Sequence, residues 1–228
     1  MLKEIVFAAG CFWGVQAAFD NIPGVISTEV GYTGGTLTNP SYEEVCTGKT
    51  GHAEAIKIIY DNQKISDEEL LDVFFQSHDS TSKNRQGFDI GTQYRSAIFY
   101  TDNEQEQAAR AKIKEYGIFF DKPIVTDVEK LIKFYPAEEY HQKYFAKKGQ
   151  KSCHINFFDK DKFWKQKLNK ERYFVMRQKG TEKPFTGKYV KFDDKGVYRC
   201  GACGQPLFGS DAKFQTECGW PGFDKALP

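Results

Sequence analysis

The sequence has no excess of charge of either sign: 32 Lys and Arg stand against 31 Asp and Glu in 228 residues. That balance removes the electrostatic reason to expect nucleic acid or a lipid surface as partner. No apolar run approaches the ~18 residues that would span a bilayer. The opening stretch, Met1 to Ala9, has too short an apolar segment and too little positive charge for a secretory leader, so it reads as a strand and a cytoplasmic location is expected. Internal repeats and low-complexity tracts are missing as well. Cysteine is sparse and irregular: Cys11, Cys46, Cys153, Cys200, Cys203 and Cys218. A small secreted disulfide scaffold would be shorter and denser in cysteine. In a reducing compartment such thiols are catalytic, metal-bound or simply buried. Cys11 has no second cysteine at CxxC spacing, which excludes a vicinal-dithiol exchanger there.

What is present supports a sizeable core, since 40% of residues are apolar and 15% aromatic. The first part reads as a mixed α/β arrangement. Strands are expected at Lys3–Ala8, Val25–Gly31, His52–Tyr60, Tyr94–Tyr100 and Ile124–Lys130. Helices are expected from Gly14 to Asp20, after Ser66, over Asn103–Tyr116 and over Ala137–Phe145. Ser66 with Glu69 three residues on has the form of a capping box. The polar stretch from His78 to Gly91 reads as a long loop, and such loops are often functional. Composition turns strongly charged near Asp159–Lys170, where a linker is expected. The stretch beyond, from Tyr173, is rich in Gly and Lys with short aromatic strand candidates.

Cys11 falls where the first strand gives way to the first helix, between Gly10 and Gly14. The free N–H groups and partial positive charge of a helix start favour thiolate over thiol. Phe12 and Trp13 beside a nucleophile would wall a hollow suited to a methyl group. The same residues would equally suit a buried structural cysteine among core aromatics.

Gly10-Cys11-Phe12-Trp13-Gly14 resembles the signature of the peptide methionine sulfoxide reductase A family. The likeness continues in order through Gly31-Tyr32-Thr33-Gly34-Gly35, Asn39-Pro40-Ser41-Tyr42-Glu43-Glu44-Val45-Cys46, Gly51-His52-Ala53-Glu54, Gly91-Thr92-Gln93-Tyr94-Arg95-Ser96 and Ala137-Glu138-Glu139-Tyr140-His141-Gln142. It implies an α+β fold, a mixed sheet flanked by helices with a ferredoxin-like core, over residues 1–157. It also implies thiol-dependent reduction of methionine S-sulfoxide, free or in proteins, with no cofactor. Cys11 would attack sulfur. Glu54 would protonate the oxygen, and Tyr42 and Tyr94 would hydrogen-bond it. Phe12 and Trp13 would hold the methyl, and Asp89 would meet the substrate main chain. Oxygen transfer leaves a sulfenic acid that a second thiol must clear. Cys153 matches the family's resolving position, and thioredoxin is the reductant the resemblance implies. Cys46 reads as a small buried residue, and His52 and His141 as structural.

Cys200-Gly201-Ala202-Cys203 has half the spacing of a tetrahedral zinc site, which needs four ligands. With Gly180–Gly187, Pro206-Leu207-Phe208 and Cys218-Gly219-Trp220-Pro221-Gly222-Phe223 it resembles the opening of methionine sulfoxide reductase B. The domain expectation is therefore 1–157, a linker at 158–170, and an incomplete β-rich module at 171–228. That family's second CxxC and its catalytic cysteine have no match here, so this module is expected to be inactive, with zinc held weakly if at all. The competing expectation is a zinc-binding or interaction module centred on Cys200 and Cys203. His52-Ala53-Glu54 with a distant CxxC shows faint likeness to zinc deaminases, but Arg199 stands where their signature has proline.

Overall fold

A computed structural model describes residues 1–149 and 158–227. They form two compact units, Met1–Phe158 and Asp159–Pro228. The first is built on β1 (Leu2–Ala9), α1 (Phe12–Phe19), β2 (Val25–Thr33), α2 (Tyr42–Cys46), β3 (Ala53–Asp61), α3 (Asp67–Ser77), the two-residue strands β4 (Arg85–Gln86) and β5 (Asp89–Ile90), β6 (Ser96–Tyr100), α4 (Asn103–Gly117), β7 (Asp127–Lys130), β8 (Phe134–Pro136) and α5 (Tyr144–Lys148). Six of these strands make one sheet in the order β7-β6-β1-β3-β2-β8. All neighbours are antiparallel except β6 and β7, which run parallel. The fold is thus a mixed sheet with flanking helices, as the resemblance implies.

β1 lies inside the sheet, and its run from Ile5 to Ala9 is buried throughout. A strand covered on both faces reads as continuous apolar sequence rather than as alternation. Ile5 and Phe7 pack with Phe19, Leu70, Leu71 and Phe74 under the helices. Val6 and Ala8 face the other way, toward Ala55, Ala97 and Phe99. The capping box forms: the Ser66 hydroxyl accepts from the Glu69 N–H, and Glu69 accepts from the Ser66 N–H.

Several local expectations change. The first helix starts at Phe12, directly after Cys11, and the stretch His78–Gly91 contains the β4–β5 hairpin. The helix expected over Ala137–Phe145 is instead a 3-10 turn at Glu139–His141 followed by the short α5. Lys143 takes φ of 52°, which ends any continuous helix there. The Gln142 side chain bonds both the N–H and the C=O of Val30, standing in for a piece of edge strand beside β2.

The second unit begins with α6 (Lys160–Lys167) and α7 (Lys170–Arg177), so the stretch expected as linker is helical. The reason is local capping, by Asp159 on the Lys162 N–H and by Asn169 on the Arg172 N–H. Two hairpins follow, β9 (Val197–Arg199) with β10 (Pro206–Gly209), and β11 (Lys213–Phe214) with β12 (Gly222–Phe223). Phe223 joins them by stacking on Phe208 at 4.3 Å and meeting Tyr198 edge-on at 4.8 Å. Among the described residues no helix is long and apolar enough to cross a membrane.

Candidate active site

Cys11 sits just past the end of β1, after a chain reversal at Gly10, whose φ of +91° few side chains tolerate. It is the residue from which α1 starts. The β1–β3 register, with Phe7 opposite Ile56, carries the end of β1 toward the start of β3, where Glu54 lies. Tyr32 stands directly opposite Glu54 across the β2–β3 pairing. Glu54 is 2% exposed, and its Oε2 accepts the Phe12 N–H at 3.1 Å. That N–H belongs to the first turn of α1, where donors lack an intrahelical partner.

Burial pushes the Glu54 carboxyl up to about 7, helped by the charge of Asp89 and opposed by the Phe12 N–H. The expectation of a depressed thiol pKa at Cys11 does not hold. Burial, then the Glu54 charge, push Cys11 up to about 12, although the Trp13 and Gly14 N–H groups act in the expected sense. The helix start is present, but desolvation beside a carboxylate outweighs it. Burial likewise raises the hydroxyls of Tyr42 and Tyr94, with the Glu54 charge adding to both, so each stays a hydrogen-bond donor.

Phe12, Trp13, Tyr42 and Tyr32 pack into one aromatic cluster next to this acid and thiol. The Phe12 ring lies 5.9 Å from Tyr32, 6.5 Å from Tyr42 and 6.3 Å from Trp13. Trp13 stacks on Tyr144 at 3.8 Å and donates its indole N–H to His141 Nδ1 at 3.1 Å. His52 accepts the Gly35 N–H on Nδ1 and donates from Nε2 to the Leu37 carbonyl, a structural pairing.

The sequence-expected residues Cys11, Glu54, Tyr94 and Asp89 thus fall within one electrostatic neighbourhood, and Phe12, Trp13 and Tyr42 within one aromatic cluster. Asp89 lies in β5 rather than in open loop, and Tyr94 ends a 3-10 turn rather than starting a strand. Cys46 is exposed, contrary to expectation, because Val45 takes the inward position of the short α2; its thiol is raised by what burial it has, against the effect of the nearby Tyr42 hydroxyl. Cys153 lies outside the described residues. Sequence reasoning assigned no role to Tyr32, Glu138 or Tyr144. Alternation along β2, with Val30 and Tyr32 both buried, was the available signal for Tyr32.

In the second unit, burial pushes the Cys200 thiol up, but hydrogen bonds from the Cys203, Ala202 and Gly204 main chain and from Cys203 outweigh it and lower it overall. No group of three or more His, Cys, Asp or Glu able to hold a metal occurs among the described residues. Two thiols do not make a closed tetrahedral zinc site. A cavity of about 550 Å³ lies elsewhere in the first unit, lined by Lys3, Ser66, Asp67 and Glu104. Lys3 is ion-paired there to Asp102 and Glu104, and the cavity shares no lining residue with the cluster around Cys11.

A half-buried thiol beside a carboxyl pushed up to about 7, with aromatic rings packed next to it, is an arrangement suited to a cysteine enzyme that pairs its nucleophile with an acid. Comparison with known proteins narrows this. The family model of peptide methionine sulfoxide reductase matches residues 3–172, and that of the SelR domain matches residues 168–228. Peptide methionine sulfoxide reductase MsrA of Methanoculleus marisnigri is 54% identical over 154 residues, covering 67% of this chain and 94% of that protein. The chloroplastic reductase A4 of Arabidopsis thaliana is 54% identical over 144 residues, covering 63% of this chain and 56% of its own length. Among solved structures, methionine sulfoxide reductase A of Corynebacterium diphtheriae superposes with a TM-score of 0.64 at 33% identity, covering 69% of this chain and 84% of that one. Mxr1 of Saccharomyces cerevisiae in its reduced form gives 0.64 at 34% identity, over 69% and 91%. The chain belongs to the peptide methionine sulfoxide reductase family, joined to a SelR stretch. It is an oxidoreductase that reduces methionine sulfoxide.

Proposed function

We propose that residues 1–157 reduce the S diastereomer of methionine sulfoxide, free or in polypeptides, by direct attack of Cys11 on sulfur. The observation that carries this reading is the placement of the half-buried Cys11 beside the buried Glu54, whose Oε2 accepts the N–H of the very next residue, Phe12, at 3.1 Å and whose carboxyl is pushed up to about 7 by burial. At neutral pH a substantial share of Glu54 is a neutral acid able to give its proton to the sulfoxide oxygen. As that oxygen gains a proton, sulfur becomes electrophilic; the Cys11 sulfur bonds to it and the S–H proton passes to Glu54. The hydroxyl then moves from the substrate sulfur to the Cys11 sulfur, as the sulfur–sulfur bond and the substrate S–O bond break. The thiol becomes sulfenic acid while the sulfoxide becomes sulfide, so oxygen and two electrons balance. Tyr42 and Tyr94, which stay protonated, would donate to the oxygen as its charge grows. Phe12 and Trp13 would enclose the methyl, and Asp89 would meet the substrate main chain.

In the same reading Cys153 attacks the sulfenic acid, releasing water and forming a disulfide with Cys11. A dithiol reductant of the thioredoxin class then restores both thiols. No chemical step is assigned to residues 171–228, and zinc at Cys200 and Cys203 has no part in the reaction.

The test is NADPH oxidation by the chain with thioredoxin and its reductase, on each separated diastereomer. Turnover on the S form, abolished in Cys11→Ser, is expected. Turnover that survives Cys11→Ser, or that appears on the R form alone, would overturn the assignment.

A further inference from the structure

Glu138 lies just past the short strand β8 and touches no reacting group, yet the walls of the aromatic hollow converge on its carboxylate. Oε1 accepts the Tyr42 N–H at 2.9 Å. Oε2 accepts the Tyr32 hydroxyl at 2.8 Å. The same Oε2 lies 4.0 Å from His141 Nε2, too far for a hydrogen bond but close enough for a strong charge effect. His141 is 2% exposed and hands on that effect, because its Nδ1 accepts the Trp13 indole N–H at 3.1 Å.

The proton count on this imidazole is decisive. Nδ1 can accept from Trp13 only if it carries no proton, so the neutral ring must hold its proton on Nε2. Nε2 is buried and has no hydrogen-bond partner. The ring's own leaning and the Trp13 hydrogen bond both favour this tautomer, but it leaves a buried N–H without a partner, which is unfavourable. The carboxylate facing that N–H offsets the cost. We propose that Glu138 is the positioning residue of the site: its negative charge stabilises the buried Nε2–H of His141 and thereby secures the Nδ1 acceptor that holds Trp13, while its two oxygens fix Tyr32 and the start of α2.

Two further observations fit. Burial drives His141 toward its neutral form, and the charged group opposing it is Glu138. Burial also works against ionisation of Glu138, but the Tyr42 N–H, its own N–H and the Tyr32 hydroxyl outweigh it and hold the carboxyl below its usual range. A neutral amide cannot replace it. Glutamine offers one oxygen and one NH2, so one of its ends must face a donor, either the Tyr42 N–H or the Tyr32 and His141 side. In the second case His141 would be pulled to the opposite tautomer, setting its Nδ1–H against the Trp13 N–H. Trp13 would keep its stacking on Tyr144 but lose its hydrogen bond.

This inference rests on the proposed roles of Trp13 at the substrate methyl and of Tyr42 at its oxygen. It is tested on the full chain with two readouts. The first is the 15N and 1H spectrum of the His141 imidazole and the Trp13 indole N–H, which needs no activity. The native protein should show the Nε2-protonated tautomer, and Glu138→Gln should lose that pattern and shift the Trp13 signal. The second is steady-state kinetics on free methionine S-sulfoxide with dithiothreitol. Losing a hydrogen bond that orients the methyl wall should raise KM about tenfold with kcat changed less than about threefold. His141→Asn, which keeps an acceptor near Nδ1, should retain more of the native KM than His141→Phe. An unchanged tautomer and indole signal in Glu138→Gln would overturn the proposal, as would equal KM values in His141→Asn and His141→Phe. Absence of turnover by the native protein would instead defeat the proposed function and leave the tautomer result standing.

Discussion

Glu54 is asked to be an acid at a pH where an ordinary glutamate is ionised, and its burial sets two consequences of opposite sign. The carboxyl is raised from 4.5 to about 7, so the native state holds its proton more tightly than the unfolded chain does. For a raised group the stabilising contribution is full below the unfolded value and is lost as pH climbs through the folded one. A shift of this size corresponds to about 3 kcal/mol of native-state cost once the group is ionised. Glu54→Gln should therefore gain stability over the native protein above pH 7 and not at pH 4, measured by urea unfolding at both values. The same substitution removes the proton donor while keeping an oxygen for the Phe12 N–H, so kcat should fall by roughly 10²–10⁴. In the native enzyme kcat/KM should decline as pH rises past about 7, and that limb should vanish in Glu54→Gln. Equal pH profiles in the two proteins would count against Glu54 as the acid.

At the scale of elements, the placement of Cys11 depends on Gly10 and on the hairpin packed against it. A Cβ added at Gly10 would come within 2.8 Å of the Gln86 Cβ, at a φ that side chains resist. Gln86 ties the hairpin to the Asp79 main chain through both ends of its side-chain amide, accepting the Asp79 N–H and donating to the Asp79 carbonyl, so it cannot easily give way. Gly10→Ala should cost more than ~1 kcal/mol in stability and lower kcat/KM, since Asp89 and Tyr94 follow Gln86 in the same segment. Ser66→Ala, by contrast, should cost about 1 kcal/mol by loss of the cap on α3 and leave kcat/KM unchanged. These elements also show what could be read in advance. The Ser66–Glu69 cap and the buried β1 announce themselves through local chemistry and an unbroken apolar run. The stretch from Ala137 misled because its spacing suits a helix, while Gln142 spends its amide on Val30 across the sheet, a non-local bond that no periodicity reveals. Cys11 and Glu54 were legible only because the family motifs name them. The service of Glu138 was not, since its partners Tyr32, Tyr42 and His141 meet only once β2, α2 and the turn after β8 are assembled.

For the whole molecule, the first unit has a large core of its own, with residues from Ile5 to Tyr116 buried in it and Phe158 packed against it. A chain ending at Phe158 should accordingly unfold as one cooperative transition and retain dithiothreitol-driven turnover on the S-sulfoxide. Calorimetry and the same kinetic assay check this, and loss of turnover in that fragment would show that residues beyond 158 serve the first site. The second unit has less to hold it: two-residue and three-residue strands dominate its hairpins, and aromatic contacts such as Phe208 on Phe223 carry much of its packing.

The interior position of β1 has a bearing on how the chain is made. During synthesis β1 emerges before both strands it pairs with, since β3 is complete only at residue 61 and β6 only at residue 100. Contacts so distant in sequence form slowly. Until they do, Cys11 is an ordinary exposed thiol, more readily ionised than in the finished fold and without Glu54 beside it. The nascent protein therefore passes through an interval in which its nucleophile is open to any electrophile nearby, and closure of the sheet is the event that makes that sulfur selective.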